Sequence, residues 1–248
     1  MSSDPPQPGC PQAARESGSS AGSWRVAWAT RLWRPAAAWY LGLTLLGLAG
    51  GLWPGAIFHP RGLEAGPLPA LQAMALAQVA FFLLVYPVIL ARRGPGGRSW
   101  PSCAGESFLL LAATAPLYAA AAWVSDATWR DCLRAGLAVA LACPLGWSAG
   151  RLLGRRGWAS AALICLLVAA VGLPWAQYVC RDFAVASRAA DVLEQASPAT
   201  FAWDAAASRQ AAWWPHPAWP ILLWLALAAA MALPAAIGKK KDGGSHGL

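Results

Sequence analysis

Charge is the scarcest thing in this sequence. Of its 248 residues only 12% are Asp, Glu, Lys or Arg, against about 25% in a soluble globular domain. That deficit sets aside an ordinary water-soluble fold before any motif is read. Catalytic signatures are missing as well. No GxxxxGK[ST] phosphate loop occurs, which excludes nucleotide hydrolysis by that route, and there is no HExxH and no CxxC. The long apolar runs carry no ionisable residue near their middles, so they lack the intramembrane charges on which proton-coupled pumps depend. The net charge of +8 is no nucleic-acid signature, because the cationic residues stand in short groups between apolar runs and not on one face interleaved with aromatics.

What is present is apolar length. Residues 218–237, AWPILLWLALAAAMALPAAI, are followed at once by Gly238 and Lys239, Lys240 and Lys241. About 20 apolar residues cross a hydrocarbon core of roughly 30 Å, and a cationic run at one end with Trp219 and Trp224 toward the other marks a stop at the cytoplasmic face. Residues 36–58, 68–90, 107–124, 133–153 and 158–179 meet the same length test. Lipid offers no partner to an open backbone, so spans are helices or closed barrels. Barrel strands would alternate apolar and polar residues, and these runs do not. The expectation is an all-α, polytopic bundle of six transmembrane helices in a cell (inner or plasma) membrane, with 24–238 as the membrane domain and 1–23 and 239–248 as tails.

Orientation follows from Lys and Arg near the helix ends. With the amino terminus cytoplasmic, the inner segments hold Arg15, Arg25, Arg31 and Arg34; Arg92, Arg93 and Arg98; Arg151, Arg155 and Arg156; and the three terminal lysines. The outer side holds Arg61, Arg130, Arg134, Arg181, Arg188 and Arg209, together with most of the acids. Both termini are therefore expected to be cytoplasmic. Residues 1–23 contain no apolar core of the kind a cleavable signal peptide carries and read as a disordered tail. In 23–34, Trp24, Trp28 and Leu32 form a stripe margined by Arg25 and Arg34, which reads as a short helix lying on anionic headgroups. Pro35 is expected to separate it from the first span.

Connections are short except residues 180–217, a length that marks a functional or disordered loop. Its Phe183, Val192, Leu193, Phe201, Trp203, Trp213 and Trp214 argue for order. Two amphipathic helices, about 182–196 and 199–212, are expected, separated at Ser197-Pro198 and placed in the outer interface, where Trp is favoured. Pro87, Pro116, Pro144, Pro174 and Pro234 fall inside spans. Gly42, Gly47, Gly50 and Gly51 in the first span would let a helix approach closely, either within the bundle or across a dimer. Gln72, Gln78 and Gln177 are expected to hydrogen-bond between helices.

Candidates for chemistry are few. His59 and His216 lie in separate proline-flanked loops and His246 in the tail, so no convergent ligand set is written here, and no cofactor or metal is expected. Cys10 and Cys103 fall on the reducing side, and Cys143 and Cys165 inside spans. Cys132 and Cys180 fall at outer ends, either free or bridged if their Cα atoms come within about 7 Å. Asp126, Asp131, Asp182 and Glu64 either solvate the outer loops or gather into a surface site, the latter being the reading of a membrane-surface enzyme that also uses His59 or His216.

The arrangement resembles the permease subunits of type-2 ATP-binding-cassette exporters. The likeness is carried by an interfacial helix before the first span, six spans with both ends inside, the long loop before the last span, Leu193-Glu194-Gln195-Ala196-Ser197-Pro198 within it, and the stretch from Glu106-Ser107-Phe108 through Thr114-Ala115-Pro116. The family places that last stretch on a cytoplasmic coupling helix, whereas the charge census starts the third span there. The resemblance implies a chain without enzymatic activity of its own, paired with a second permease subunit, identical or not. It implies a separate cytoplasmic ATPase docked around Arg92, Arg93, Glu106, Arg155 and Arg156, and an outer gate from Phe183, Trp203, Trp213 and Trp214. The substrate would be a lipid, polysaccharide, peptide, drug or haem-like molecule. The other reading is a non-catalytic integral membrane subunit or assembly factor of a larger complex.

The topology is checked by fusing green fluorescent protein or alkaline phosphatase after Leu248. Cells should show fluorescence and no phosphatase activity, and the reverse pair of results would place that end outside.

Overall fold

The computed structural model describes residues 17–52, 69–93, 99–154, 159–182, 187–207 and 218–242, and among them every regular element is helical. The chain divides into two compact units, Met1–Pro35 and Ala36–Leu248. In chain order the helices are α1 (Ser17–Leu52), α2 (Pro69–Ala80), α3 (Tyr86–Arg92), α4 (Trp100–Ala113), α5 (Ala115–Ser125), α6 (Trp129–Leu153), α7 (Ala159–Leu167), α8 (Leu173–Asp182), α9 (Ser187–Ala196), α10 (Pro198–Ala207) and α11 (Trp219–Asp242). The π-helical turns Phe81–Val85 and Val168–Gly172 join α2 to α3 and α7 to α8.

Five stretches are long and apolar enough to cross a membrane: Pro35–Leu52, Pro69–Arg92, Trp100–Ser125, Trp129–Leu153 and Ala159–Ala176. Within α11, Trp219–Ala232 is a further apolar stretch. The outward surface is apolar too. Leu46, Phe108, Trp123 and Leu222 are between 64% and 87% exposed, a surface suited to hydrocarbon. Among the described residues the protein is thus all-helical, with five to six helices fit to span a membrane.

α6 is the hub. It packs against α2, α3, α4, α5, α7, α10 and α11. Its buried face carries Ala135, Ala138, Ala142, Gly146 and Ala149, a row at spacings of three and four along one side of a helix. Such a row lets backbones come close, which is how helices associate where lipid removes the hydrophobic drive. The closest approach is at Gly146. A Cβ placed there would stand 2.1 Å from the carbonyl oxygen of Phe82. Around Phe82, the rings of Tyr40, Phe81 and Tyr86 pack with centroids 5.0 to 5.8 Å apart. Gly47 and Gly51 do the same for α1 against α2, where added Cβ atoms would meet Ala73 O at 2.7 Å and Ala70 Cα at 2.5 Å. Those two glycines therefore serve packing within the chain.

Each interrupted span is interrupted next to a proline. Pro87 has no N–H for the carbonyl of Leu83 and its ring would collide with it, so the preceding turn widens and Tyr86 N–H bonds to Phe81 O. Pro174 stands in the same relation to Val168–Gly172, where Leu173 N–H bonds to Val168 O. Pro116 lies in the first turn of α5, and the chain breaks before it at Thr114, whose φ of −92° and ψ of 0° end α4.

Three expectations are corrected. Pro35 lies inside α1 and does not end it; proline in a long apolar helix is tolerated where other groups re-satisfy the backbone. The third apolar stretch starts at Trp100 and not at residue 107, because Pro101 suits a helix's first turn and Glu106 is neutralised internally. The helix after Ser197-Pro198, expected to be amphipathic and surface-lying, has a face buried within the protein. Phe201, Ala202, Ala205 and Ala206 are at most 1% exposed, and α10 packs against α2 and α6. Ser197 and Pro198 are still its start, with Thr200 N–H donating to Ser197 Oγ at 3.4 Å.

Gly146→Ala should destabilise the protein by about 1–3 kcal/mol, since a backbone atom must move to admit the methyl group. Gly42→Ala, where nothing lies within 4 Å, should be neutral or stabilise by up to about 1 kcal/mol. Denaturant titration in micelles that ranked the two alike would contradict the packing at Gly146.

Candidate functional site

Among the described residues three clusters of polar side chains stand out. The first is at the end of the second and third apolar stretches that carries Arg92. α3 stops at Arg92, and Arg93 turns extended with its N–H on Leu90 O. From there the Arg93 guanidinium reaches across to Glu106, one turn and a half into α4. Nη1 donates to Oε2, and Nη2 donates to Oε1 at 2.6 Å. Tyr86 on α3 donates its hydroxyl to the same Oε2 at 2.7 Å. The two charged side chains are only 9% and 7% exposed. A two-pronged Arg–carboxylate pair fixes geometry as well as charge, and the cation at the end of α3 also suits the helix dipole. Burial works against the Arg93 charge, but the hydrogen bonds and negative charge of Glu106 more than offset it, so the guanidinium pKa stands above its ordinary value.

The same end of α4 is tied to α6. Trp147 Nε1 donates to Ser107 Oγ at 2.9 Å. Trp100 packs edge-on against Trp147 at 5.4 Å, with the Arg151 guanidinium 5.7 Å from the Trp100 ring centre, within cation–π range. Arg92 is exposed. Of the residues expected to meet a partner, then, Arg93 and Glu106 are brought together and face each other, Arg92 faces outward, and Arg155 and Arg156 lie outside the described residues.

The second cluster sits at the Thr114 break. Thr114 Oγ1 donates to Leu111 O at 2.8 Å, taking up a carbonyl that the break leaves without its usual partner. Gln78 Nε2 donates to Thr114 Oγ1 at 3.3 Å, and Tyr118 donates its hydroxyl to Gln78 Oε1 at 2.6 Å. Thr114 and Gln78 are fully buried. Gln78 precedes the first π turn by one helical turn, so this network joins the irregular parts of two neighbouring spans. The expected interhelical role of Gln78 is met; Thr114 and Tyr118 were not foreseen as its partners. The signal was Thr114 two residues before Pro116.

The third cluster is at the opposite end of α6. Asp131 accepts from Thr128 N and Thr128 Oγ1, both at 2.8 Å, and from Arg134 Nη2 at 2.5 Å. This is a reciprocal cap made from the Thr128-x-x-Asp131 pattern. Asp131 is thereby engaged in holding a helix end. Asp126 is an exposed left-handed residue closing α5. Glu64 and the side chain of Asp182 lie outside the described residues, as do His59, His216 and His246. Among the described residues no three His, Cys, Asp or Glu side chains group as metal ligands, and Cys132 and Cys180 are both free.

Of the residues assigned to an outer gate, Trp203 is 4% exposed on α10, and Phe183, Trp213 and Trp214 lie outside the described residues. α11 reaches the junction of α9 and α10. Trp224 Nε1 donates to Ala196 O at 2.8 Å, and its ring stands edge-on to Phe201 at 4.8 Å.

The chain matches no family model, no curated protein and no solved structure.

Breaking a buried ion pair from one side leaves an uncompensated charge, which costs about 3–5 kcal/mol, whereas replacing both members by apolar residues is near neutral. Glu106→Ala should therefore destabilise by about that much, and Arg93→Met combined with Glu106→Leu should fall within about 1 kcal/mol of the parent. Equal losses in the single and double variants, in the same denaturant titration, would show that the pair is not desolvated.

Proposed function

We propose that this chain is the transmembrane permease subunit of an ATP-binding-cassette exporter, driven by a separate cytoplasmic ATPase and lining the pathway together with a second permease subunit. The observation that carries the reading is α10. A short helix between the fifth span and the last helix is packed against α2 and α6, where the resemblance sets the gating helices. In this reading 218–237 is the sixth span, both termini are cytoplasmic, and the Arg92 end of the bundle faces the ATPase.

The physical logic is one of discrete packings. The small-residue face of α6 permits close sliding contact, and proline-linked breaks at Phe81–Val85, Thr114 and Val168–Gly172 divide the spans into shorter rigid pieces. A pull at the Arg92 end then has segments to move, and α10 lies against those segments on its way to the outer exit. Arg92 offers a free charge to the partner, and the buried Arg93–Glu106 pair braces the surface behind it.

The second reading, a non-catalytic membrane subunit or assembly factor, draws on one observation. Among the described residues the buried charged side chains, Arg93, Glu106, Asp131 and Arg134, all lie toward span ends, and none faces a mid-membrane pathway.

Affinity purification in mild detergent with mass spectrometry separates the two. A stoichiometric soluble protein with a phosphate loop is expected, and Arg92→Glu should reduce its recovery about tenfold, as reversing a docking charge does. Recovery of membrane proteins alone would replace the permease reading with the subunit reading.

A further inference from the structure

α4 is held in an unusual way for a membrane helix. Of its 14 residues only Cys103, Glu106, Ser107 and Leu110 are buried, and Phe108 and Leu109 are 71% and 55% exposed. Apolar contact therefore does little to fix it, the more so because lipid contacts apolar side chains as well as protein does. Polar ties fix it instead. Glu106 is fastened to Tyr86 on α3 and to Arg93 just beyond it, and Ser107 to Trp147 on α6. At its carboxyl-terminal end the helical ladder is interrupted. Thr114 N–H bonds to Leu111 O, and regular bonding resumes beyond it with Tyr118 N–H on Thr114 O. Thr114 itself is pinned by Gln78.

A rigid rod fastened near its middle by a few strong polar bonds, and interrupted at its carboxyl-terminal end, can turn about the interruption when those bonds open. Buried ion pairs add little net stability, and in some proteins they fix one register against another. We propose that α4 is a latched lever: opening of the Arg93–Glu106–Tyr86 latch lets Trp100–Ala113 swing as a unit about Thr114. The inference concerns this chain alone and does not rest on the permease reading, so it stands or fails whether or not an ATPase is found.

Cys103 reports the motion. It lies one turn before Glu106 and is 1% exposed, whereas Cys143 on α6 is 2% exposed and belongs to the hub. The experiment uses the full chain in mild detergent with Cys10, Cys132, Cys165 and Cys180 replaced by serine, N-ethylmaleimide as probe, and peptide mass spectrometry to follow Cys103 and Cys143 separately. Modification of a buried thiol tracks the population of the open form. Glu106→Gln should raise Cys103 labelling about tenfold or more, the effect of losing hydrogen bonds to a charged group, with Cys143 unchanged. Combining Arg93→Glu with Glu106→Arg should bring the rate back toward the parent's. Spin labels at Gly105 and Trp123, on either side of Thr114, should show a second discrete distance in Glu106→Gln.

Unchanged labelling of Cys103 overturns the proposal. So does a parallel rise at Cys143, or a single featureless broad distance distribution, since either means general loosening instead of a swing. If Glu106→Gln does not fold, Tyr86→Phe, which removes one hydroxyl, is read in its place. A rise of about threefold or more at Cys103 alone supports the latch, and no rise overturns it.

Discussion

The bundle depends on how closely α6 approaches the second span. At Gly146 the neighbouring backbone occupies the place a side chain would take, with Phe82 O against the glycine. In water such proximity would follow from burying apolar surface. In lipid that drive is absent, and association rests on van der Waals contact and on whatever hydrogen bonds the helices share. Small residues along α6 set the distance, and the distance sets which polar groups can meet. With α2 and α3 close to α6, Trp147 can brace α4 at Ser107 while Glu106 is fastened to α3, and α10 can fit against α2 and α6.

A second constraint follows from the same solvent. Every break in a span leaves backbone groups that only protein can satisfy. At the π turns the remedy is backbone alone, an N–H that reaches five residues back. At Thr114 a side chain joins the backbone, since both its N–H and its hydroxyl donate to Leu111 O, and that hydroxyl is then joined to Gln78 and through it to Tyr118. Some of the buried polar groups thus stand where the backbone is irregular or where a helix ends, as the cap at Thr128 and Asp131 also illustrates.

Much of this was legible in the residues. The apolar runs mark the helices and Ser197-Pro198 marks the start of α10, because each is a local property of chain chemistry, whereas a proline alone does not mark an interruption: Pro87, Pro116 and Pro174 adjoin one, and Pro35 and Pro144 lie inside unbroken helices. The kind of interruption was not legible, since Pro87 and Pro116 are followed by similar residues and one gives a π turn while the other gives a break. Nor was the pairing of Arg93 with Glu106, which stand on opposite sides of a connection and read separately as surface charges. The Thr128-x-x-Asp131 cap was present in the sequence as a pattern and was read as an acidic loop. The burial of α10 was missed because Phe201 and Trp203 suggest an interface. The alanines at 202, 205 and 206, small enough for close packing, were the better guide.

The contrast between α6 and α4 carries these points furthest. Both are long helices in the same apolar surroundings. α6 buries a continuous row of small residues against seven neighbouring helices, so displacing any part of it would open gaps along several contacts at once. α4 buries four residues, and the ones that hold it are Glu106 and Ser107. Packing forces are short-ranged and shared among many atoms, and they give way gradually. A two-pronged ion pair is either made or broken. A bundle with a close-packed hub and a polar-tied outer helix therefore has its stability in one place and its capacity for a discrete change in another. That separation allows a membrane protein with few buried charges to remain folded while one of its parts moves.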